Sequence, residues 1–356
     1  MSNSNPHLPG KLGNPDATLA DDERADPRLR AVADTLDLRP PDLTPVDGDS
    51  SYEECLAYCS ALDEAAAAEH PQLLENLPVF DSVATSTEVI TGMEGNEIPL
   101  FVHKPVAADG PVPGIVHIHG GGMAIMSAAG PEFIRWRDSL ADKGVVVMGV
   151  EFRNAGGRLG NHPFPAGLND CASAVRWVYA NKARLGISTI TISGESGGGN
   201  LTLATALRAN REGWIDEIDG AYAMCPYICG NYADPPAELV SLRENDDYAG
   251  LACSMMMGLV KAYDPSGQHG RNALAWPYHA SADDLAGLPP HVISVNELDP
   301  LRDEGIAYYR KLAAAGVQAI GRTVLGTSHS ADEFFDVLPE ICEETMRSIV
   351  GFARSL

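Results

Sequence analysis

The chain has 356 residues, of which 45% are hydrophobic and 21% are charged, so its composition is that of a globular protein rather than a disordered one. Its 25 Lys and Arg residues against 49 Asp and Glu residues give a formal net charge of −24. Phosphate backbones and anionic lipids repel such an acidic surface, so neither nucleic acid nor a membrane is an expected partner.

The cysteines do not indicate a disulfide framework, because seven is an odd number and they are spread along a long chain. Reduced thiols in a cytoplasmic protein are the expectation. The two C-x3-C pairs, Cys55/Cys59 and Cys225/Cys229, have wider spacing than usual zinc ligands and no histidine close by, so no metal is expected. The first thirty residues contain no apolar run, and no stretch approaches the about 18 consecutive apolar residues of a membrane span.

The N-terminal part reads as an arm that precedes a sheet. Residues 1–50 are rich in Pro, Asp and Leu, and residues 51–75 are an alanine-rich predicted helix with Ser51 as its N-cap and Glu54 three positions later. Residues 85–90 and 97–103 are β-rich and are separated by a turn-like segment. They predict an antiparallel pair at a sheet edge.

Apolar strands then alternate with helical segments. The predicted strands are 114–119, 145–152, 189–196, 220–227, 291–299 and 318–326, and the predicted helices are 131–144, 167–186, 198–210, 302–316 and 331–354, the last interrupted by Pro339. Such alternation predicts parallel strands with right-handed crossovers and helices on both faces. The fold class is therefore α/β, with a mostly parallel eight-stranded sheet.

Residues 228–280 break this alternation, because they are only partly helical and contain several prolines. An insertion between two strands, together with the arm, would form a helical cap over the carboxyl edge of the sheet. The expected organisation is an arm and part of the cap at 1–75, a catalytic domain at 76–227 and 281–356, and the cap insertion at 228–280.

The sequence Gly194-Glu-Ser-Gly-Gly198 matches the G-x-S-x-G pattern between a predicted strand and a predicted helix. Glycines allow the tight turn that exposes a nucleophilic Ser196, and the N-terminus of the following helix favours developing negative charge. The stretch does not match G-x-G-x-x-G, so a dinucleotide site is not indicated.

A second motif, His119-Gly-Gly-Gly122, ends the predicted strand 114–119. Glycines let backbone N–H groups approach the oxygen that becomes anionic during acyl transfer. Gly121, Gly122 and Gly197 are the expected donors of an oxyanion hole. His119 is expected to order the loop rather than to transfer a proton.

A base and an acid follow in the order that hydrolases of this kind use. His329 lies just after the last predicted strand, beyond the acid candidates Glu297, Asp299, Asp303 and Glu304. Asp299 ends its strand before Pro300, whereas Asp303 and Glu304 fall in a first helical turn, where they are expected to stabilise the helix.

These motifs, together with His162-Pro-Phe-Pro165 and Asp299-Pro-Leu-Arg-Asp-Glu-Gly305, resemble the hormone-sensitive-lipase-like carboxylesterases of the α/β-hydrolase fold. The resemblance implies a catalytic triad of Ser196, Asp299 and His329. Glu195 and Gly197 stand where the family more often has Asp and Ala, and Glu195 is expected to support the site.

The expected function is that of a cofactor-independent serine carboxylesterase acting on small to medium esters through an acyl-enzyme. An amidase, a lactonase or a dialkyl-phthalate hydrolase would use the same triad, and a non-catalytic small-molecule receptor of this fold is the non-enzyme alternative. Dimers are frequent in the family, so a homodimer stays open. The expected pocket residues are Met123, Met126, Met255, Met256 and Met257.

Overall fold

A computed structural model describes residues 8–37, 39–40, 42–74 and 79–356. Its centre is one eight-stranded sheet in the order β1-β2-β4-β3-β5-β6-β7-β8. The strands are β1 Val83–Thr91, β2 Glu97–Pro105, β3 Val112–Ile118, β4 Val146–Val150, β5 Ile187–Glu195, β6 Gly220–Met224, β7 His291–Asn296 and β8 Ala319–Val324.

The sheet is mostly parallel, as predicted. Strand β2 pairs antiparallel with both β1 and β4, and β4, β3, β5, β6, β7 and β8 pair in parallel. Strands β4, β6 and β7 are buried along their whole length. Because helices cover both faces of such strands, their sequences are continuous apolar runs rather than alternating ones.

Twelve α-helices surround the sheet in the part of the chain that the structure describes. They are α1 Gly10–Gly13, α2 Pro27–Val32, α3 Tyr52–Leu74, α4 Pro131–Asp142, α5 Ala166–Ala180, α6 Lys182–Leu185, α7 Gly197–Glu212, α8 Ser241–Glu244, α9 Cys253–Tyr263, α10 Ala282–Leu285, α11 Arg302–Ala314 and α12 Pro339–Ser355. None of these helices is both long and apolar enough to cross a bilayer.

The predicted helix at 51–75 begins as expected. The Ser51 backbone N–H donates to Glu54 Oε2 (2.7 Å), and the Glu54 N–H donates to Ser51 Oγ (3.2 Å), which satisfies two backbone donors at the start of α3. The predicted boundary between residues 75 and 76 lies outside the described residues.

The prediction of a final helix at 331–354 is wrong at its start. Residues Ala331–Glu333 form a short 3-10 helix, and α12 begins at Pro339. Proline suits a first helical position because it needs no N–H donor there and its φ is already helical. The residues between His329 and Pro339 are thus free to form part of a cavity wall.

The arm and the 228–280 segment pack against each other. The side chains of Cys55, Tyr58 and Cys59 on α3 share one hydrophobic cluster with Met256 on α9. A Cβ atom on Gly258 would lie 2.5 Å from Val46 Cγ2, so the absence of a side chain there allows the close approach. Helix α9 also approaches the loop after β3, since a Cβ atom on Gly122 would lie 2.7 Å from Leu259 Cδ1.

Candidate active site

Ser196 occupies the single residue between β5 and α7. Its φ of 56° and ψ of −117° are unusual for a residue with a side chain, and such strain is typical of functional positions. Three backbone hydrogen bonds hold it there, from Ser196 N to Met224 O (2.9 Å), from Tyr227 N to Ser196 O (3.1 Å) and from Asn200 N to Ser196 O (3.0 Å). The nucleophile candidate is thus fixed by the main chain at the end of the sheet.

The glycines around Ser196 are required by close backbone contacts. A Cβ atom on Gly198 would lie 1.9 Å from the carbonyl oxygen of Ile118, and one on Gly194 would lie 2.3 Å from the same oxygen. Any larger residue at either position would push β3 away from the turn. The G-x-S-x-G pattern therefore reflects packing of two chain segments as well as the geometry of the turn.

The glycine loop after β3 meets this turn. Gly121 and Gly122 have φ values of 92° and 59°, and a Cβ atom on Gly197 would lie 2.6 Å from the Gly122 nitrogen and 2.5 Å from the Met123 nitrogen. Within the described residues, no acceptor takes a hydrogen bond from the N–H of Gly121, Gly122 or Gly197. These donors lie beside Ser196 and at the N-terminus of α7, an arrangement that can stabilise an oxyanion.

Glu195 connects the nucleophile turn to the glycine loop. Its side chain is buried, with Oε1 accepting from the Gly120 N–H (2.7 Å) and Oε2 lying 3.0 Å from His117 Nε2. The Glu195 carboxylate therefore holds the loop in register with Ser196. The longer side chain that replaces the family's usual Asp is used for this contact.

His119 is a buried histidine of the loop. Its Nδ1 donates to the carbonyl oxygen of Gly120 (2.9 Å), and its ring stacks on Phe152 with centroids 4.3 Å apart. Burial lowers the pKa of His119 to about 3, so the ring is neutral at ordinary pH. These contacts are those of a residue that orders the loop.

Asp299 and His329 are brought together from the ends of β7 and β8. Asp299 is fully buried, and its Oδ1 accepts from the Leu301 N–H (2.8 Å) while its Oδ2 lies 2.8 Å from His329 Nδ1. Burial lowers the pKa of His329, but the adjacent Asp299 carboxylate and the nearby Cys225 together raise it by more, so the net pKa lies well above the usual value. The side chain of His329 is 16% exposed and lines the same cavity as Ser196.

The other acid candidates have different partners. Glu297 Oε2 accepts from the Gly326 N–H (2.8 Å), which ties the β7 end to the loop that carries His329. Asp303 Oδ2 accepts from the Ser241 N–H (2.8 Å). The buried Glu304 accepts from the Ile228 N–H (3.2 Å).

The expected helix-stabilising role of Asp303 and Glu304 needs correction. They do lie in the first turn of α11, but neither is a side-chain cap of that helix. Asp303 also accepts from the neighbouring Arg302 Nε, but both residues have hydrogen-bond partners in the 228–280 segment, because that segment packs directly on the helix start. The two carboxyl groups therefore anchor the segment rather than the helix N–H groups.

Cys225 is a neighbour of the site that the sequence did not reveal. The Cys225 Sγ, a carboxylate oxygen of Asp299 and a ring nitrogen of His329 all lie within 4.8 Å of one another. Among the described residues, this is the one such group of potential metal ligands. Cys225 Sγ also lies 3.2 Å from Ser330 Oγ. Its C-x3-C partner Cys229 instead has its Sγ 3.6 Å from the carbonyl oxygen of Asn231.

A cavity of about 290 Å³ opens beside Ser196 and His329. Its walls come from the glycine loop, from the first turns of α4 and from the segment before α12. The lining residues are Gly120, Gly121, Met126, Glu132, Phe133, Trp136, Glu195, Ser196, His329, Ser330, Glu333, Phe334, Phe335 and Asp336. The aromatic residues among them were not predicted, because only the fold brings the two helix starts together.

Of the five methionines expected in the pocket, Met126 lines this cavity. Met123 and Met256 are buried in the core, and Met255 lines a separate cavity with Asp37 and Tyr58. Met257 packs against the core. The methionine run of α9 is not among the residues that line this cavity. The α9 residue that approaches the glycine loop is Leu259, whose Cδ1 would lie 2.7 Å from a Cβ atom on Gly122.

Comparisons with known proteins agree with this geometry. The family model described as "alpha/beta hydrolase fold" matches residues 115–332. The carboxylesterase NlhH of Mycobacterium tuberculosis is 29% identical over 290 residues, which cover 80% of this chain and 85% of that protein. The chain belongs to the α/β-hydrolase fold family, within its hormone-sensitive-lipase-like carboxylesterases.

Two solved structures extend the match over nearly the whole chain. Brefeldin A esterase, described as a bacterial homologue of human hormone sensitive lipase, has a TM-score of 0.92 and 44% identity, with 98% of each chain covered. The esterase Est22 has a TM-score of 0.84 and 37% identity, covering 95% of this chain and 99% of its own. The resemblance to brefeldin A esterase that the motif Asn296–Gly305 indicates is thereby confirmed.

Proposed function

We propose that the chain is a serine carboxylesterase in which Ser196 is the nucleophile, His329 the general base and Asp299 the residue that orients it. The observation that carries this proposal is the 2.8 Å contact between Asp299 and His329 at a cavity that Ser196 and the glycine loop also line. A nucleophile, an oriented base and a cluster of N–H donors around one cavity constitute the machinery of acyl transfer.

The reaction follows from these positions. His329 Nε2 takes the Ser196 proton as Oγ attacks the ester carbonyl, and Asp299 stabilises the imidazolium that forms. The N–H groups of Gly121, Gly122 and Gly197 stabilise the tetrahedral oxyanion. The protonated His329 then gives its proton to the leaving alcohol, and a water activated by the same imidazole hydrolyses the acyl-enzyme.

The cavity volume of about 290 Å³ supports small to medium esters as substrates. The relatives reported above are named as esterases, so an amidase, a lactonase or a dialkyl-phthalate hydrolase is not favoured. A non-catalytic receptor is not favoured either, since His329 is present and in contact with Asp299. We also propose that the arm and residues 228–280 form the cap.

Fluorophosphonate labelling tests the proposal most directly. Wild type should be labelled at Ser196, as located by peptide mapping, and should lose turnover of p-nitrophenyl butyrate in proportion to labelling. Ser196→Ala should take up no label, whereas Ser193→Ala, three residues earlier in β5, should still be labelled. Labelling of another residue with loss of activity would overturn the assignment.

We also propose that the protein is cytoplasmic and that its thiols are reduced; the seven cysteines are all free. It is proposed to bind no nucleic acid and to need no metal or cofactor. Activity should therefore be unchanged by EDTA and by mild reductant. A homodimer is the oligomeric state to test by light scattering, because dimers are frequent in the family that the motifs resemble.

A further inference from the structure

The cavity beside Ser196 is lined by more acidic than basic side chains. Four of its lining residues carry carboxyl groups, namely Glu132, Glu195, Glu333 and Asp336, and none is a lysine or an arginine. The Glu195 carboxylate is already engaged by the Gly120 N–H and by His117. The nearby Arg137 does not line the cavity, because its guanidinium donates to His103 and to the Ala128 carbonyl.

Glu333 contributes a partly buried carboxyl group to this cavity. It ends the 3-10 helix that follows His329, and its Oε1 is buried with no hydrogen-bond partner among the described residues. Burial, and after it the charge of Glu195, raise the pKa of Glu333 well above its usual value. A bound cation would compensate this unfavourable burial and favour the ionised carboxylate.

Four of the other lining residues are Phe or Trp. Phe133 and Trp136 come from α4, and Phe334 and Phe335 directly follow Glu333. Arg135 lies 5.3 Å from the ring centroid of Phe335 without lining the cavity, and Phe334 and Phe335 are only partly buried. Aromatic faces combined with carboxylates are the chemistry that recognises an organic ammonium group, through the ring quadrupole and through charge.

We propose that this cavity selects esters that carry an organic ammonium group over their neutral isosteres, with Glu333 as the residue that determines the selectivity. The proposal rests on the esterase function proposed above and names its preferred substrate class. The cation would lie against the aromatic wall with Glu333 beside it, and the ester carbonyl would reach Ser196. Anionic esters are disfavoured by the same carboxyl groups.

The test compares two esters of one shape, acetylcholine and 3,3-dimethylbutyl acetate, which differ by a quaternary nitrogen in place of a carbon. Each kcat/KM is divided by the ester's rate constant for alkaline hydrolysis, which removes the difference in leaving group. We expect a normalised preference of about tenfold for the cation in wild type, and a ratio below about threefold in Glu333→Gln. The matched control Glu344→Gln makes the same charge change at an exposed position on α12 and should keep the wild-type ratio.

A binding measurement on wild type keeps the proposal testable even if Glu333→Gln does not fold. Phenyltrimethylammonium should inhibit p-nitrophenyl acetate hydrolysis competitively, with a Ki about tenfold lower than that of tert-butylbenzene. Equal Ki values, or equal normalised turnover of the two acetates, would overturn the selectivity while leaving the esterase function intact. Failure of wild type to hydrolyse either acetate or the p-nitrophenyl ester would overturn both. An unchanged ratio in Glu333→Gln would overturn the role of Glu333.

Discussion

The turn that carries Ser196 and the cavity wall at residues 331–336 are built by different means. Backbone hydrogen bonds and glycine contacts too close for any side chain fix the turn against β3. The wall is instead made of side chains, with Trp136 and Phe335 in edge contact at a centroid distance of 6.0 Å. A side-chain wall can change its shape without moving the main chain, whereas a backbone-built turn cannot.

This difference has a functional consequence. Substitutions in the turn and its partners should reduce turnover of every ester alike, because they remove groups that act in the transition state. Substitutions in the wall should instead change which ester is preferred. If this distinction is right, variants of the turn and variants of the wall should differ in how evenly they affect esters of different size.

Replacing Ser196 with Ala should give the largest effect. The variant should fold, because the turn is held by backbone groups, and kcat should fall by roughly 10^4–10^6-fold for all esters tested. Circular dichroism and a thermal melt serve as controls for folding. A purified, folded variant that keeps a tenth of wild-type turnover would mean that Ser196 is not the nucleophile.

Asp299→Asn should have the second-largest effect on turnover. The amide keeps the shape of the side chain but changes the hydrogen bond to His329 Nδ1, so kcat should fall by about 10^3–10^4-fold. Glu297→Gln is the matched control, since Glu297 accepts from the Gly326 N–H and does not contact the imidazole. Full activity of Asp299→Asn together with loss of activity in Glu297→Gln would mean that Glu297, not Asp299, is the acid of the triad.

The pH dependence should report the charge of Asp299. With His329 as the proposed general base, its neutral form is the active one, so kcat/KM should fall with a single-proton slope as the pH falls through its pKa, which the Asp299 carboxylate helps to raise above 6.5. In Asp299→Asn the acidic side of the pH profile of the residual kcat/KM should shift to lower pH, because the carboxylate charge that stabilises the imidazolium is gone. A profile that does not shift would show that a group other than His329 controls the acidic side.

A smaller, selective effect is expected in the wall. Met126→Ala should enlarge the cavity and raise kcat/KM for hexanoate relative to acetate esters by about three- to tenfold, with little change for acetate itself. Met255→Ala is the control, because Met255 lines a different cavity beside Tyr58. A uniform loss for all chain lengths in Met126→Ala would contradict the division between turn and wall.

The sheet was predictable from sequence because burial on both faces imposes uninterrupted apolar runs, as in Val146–Val150. The chain order of Ser196, Asp299 and His329 was informative because parallel strands end at one edge, where β5, β7 and β8 deliver them. The start of α12 was missed although Pro339 signals it, since the apolar pattern continues upstream into Phe334 and Phe335.

The cavity wall could not be predicted, and the reason is physical. Whether a side chain faces the cavity depends on where two distant segments meet, as Trp136 and Phe335 do, and no local pattern encodes that meeting. The same applies to Cys225, whose position near His329 follows from the end of β6. The sequence of the methionine run on α9 does not distinguish the two roles, because an apolar helix face suits core packing as well as a pocket.

The smallest effect should come from the pair of carboxyl groups at the start of α11. Asp303 is partly exposed and hydrogen-bonded to the Ser241 N–H, so Asp303→Asn should lower the free energy of unfolding by about 1 kcal/mol or less. Glu304 is buried, and burial raises its pKa well above the usual value, with Asp299 adding to the rise. The folded state therefore holds a proton on Glu304 that the unfolded state releases.

The sign of the resulting pH dependence follows from linkage. A carboxyl group whose pKa is raised on folding contributes stability below its unfolded pKa of about 4.3, and this contribution is lost as the pH rises toward the folded value. Gln at position 304 cannot titrate and imitates the neutral acid in its contacts with Ile228 and Tyr232. Melting curves between about pH 5 and pH 9 should therefore show Glu304→Gln gaining stability relative to wild type as the pH rises, with Asp303→Asn as the comparison that lacks this trend. A difference between wild type and Glu304→Gln that stays constant across this pH range would mean that Glu304 is already ionised in the folded protein, with its carboxylate stabilised by Tyr232 rather than kept neutral by burial.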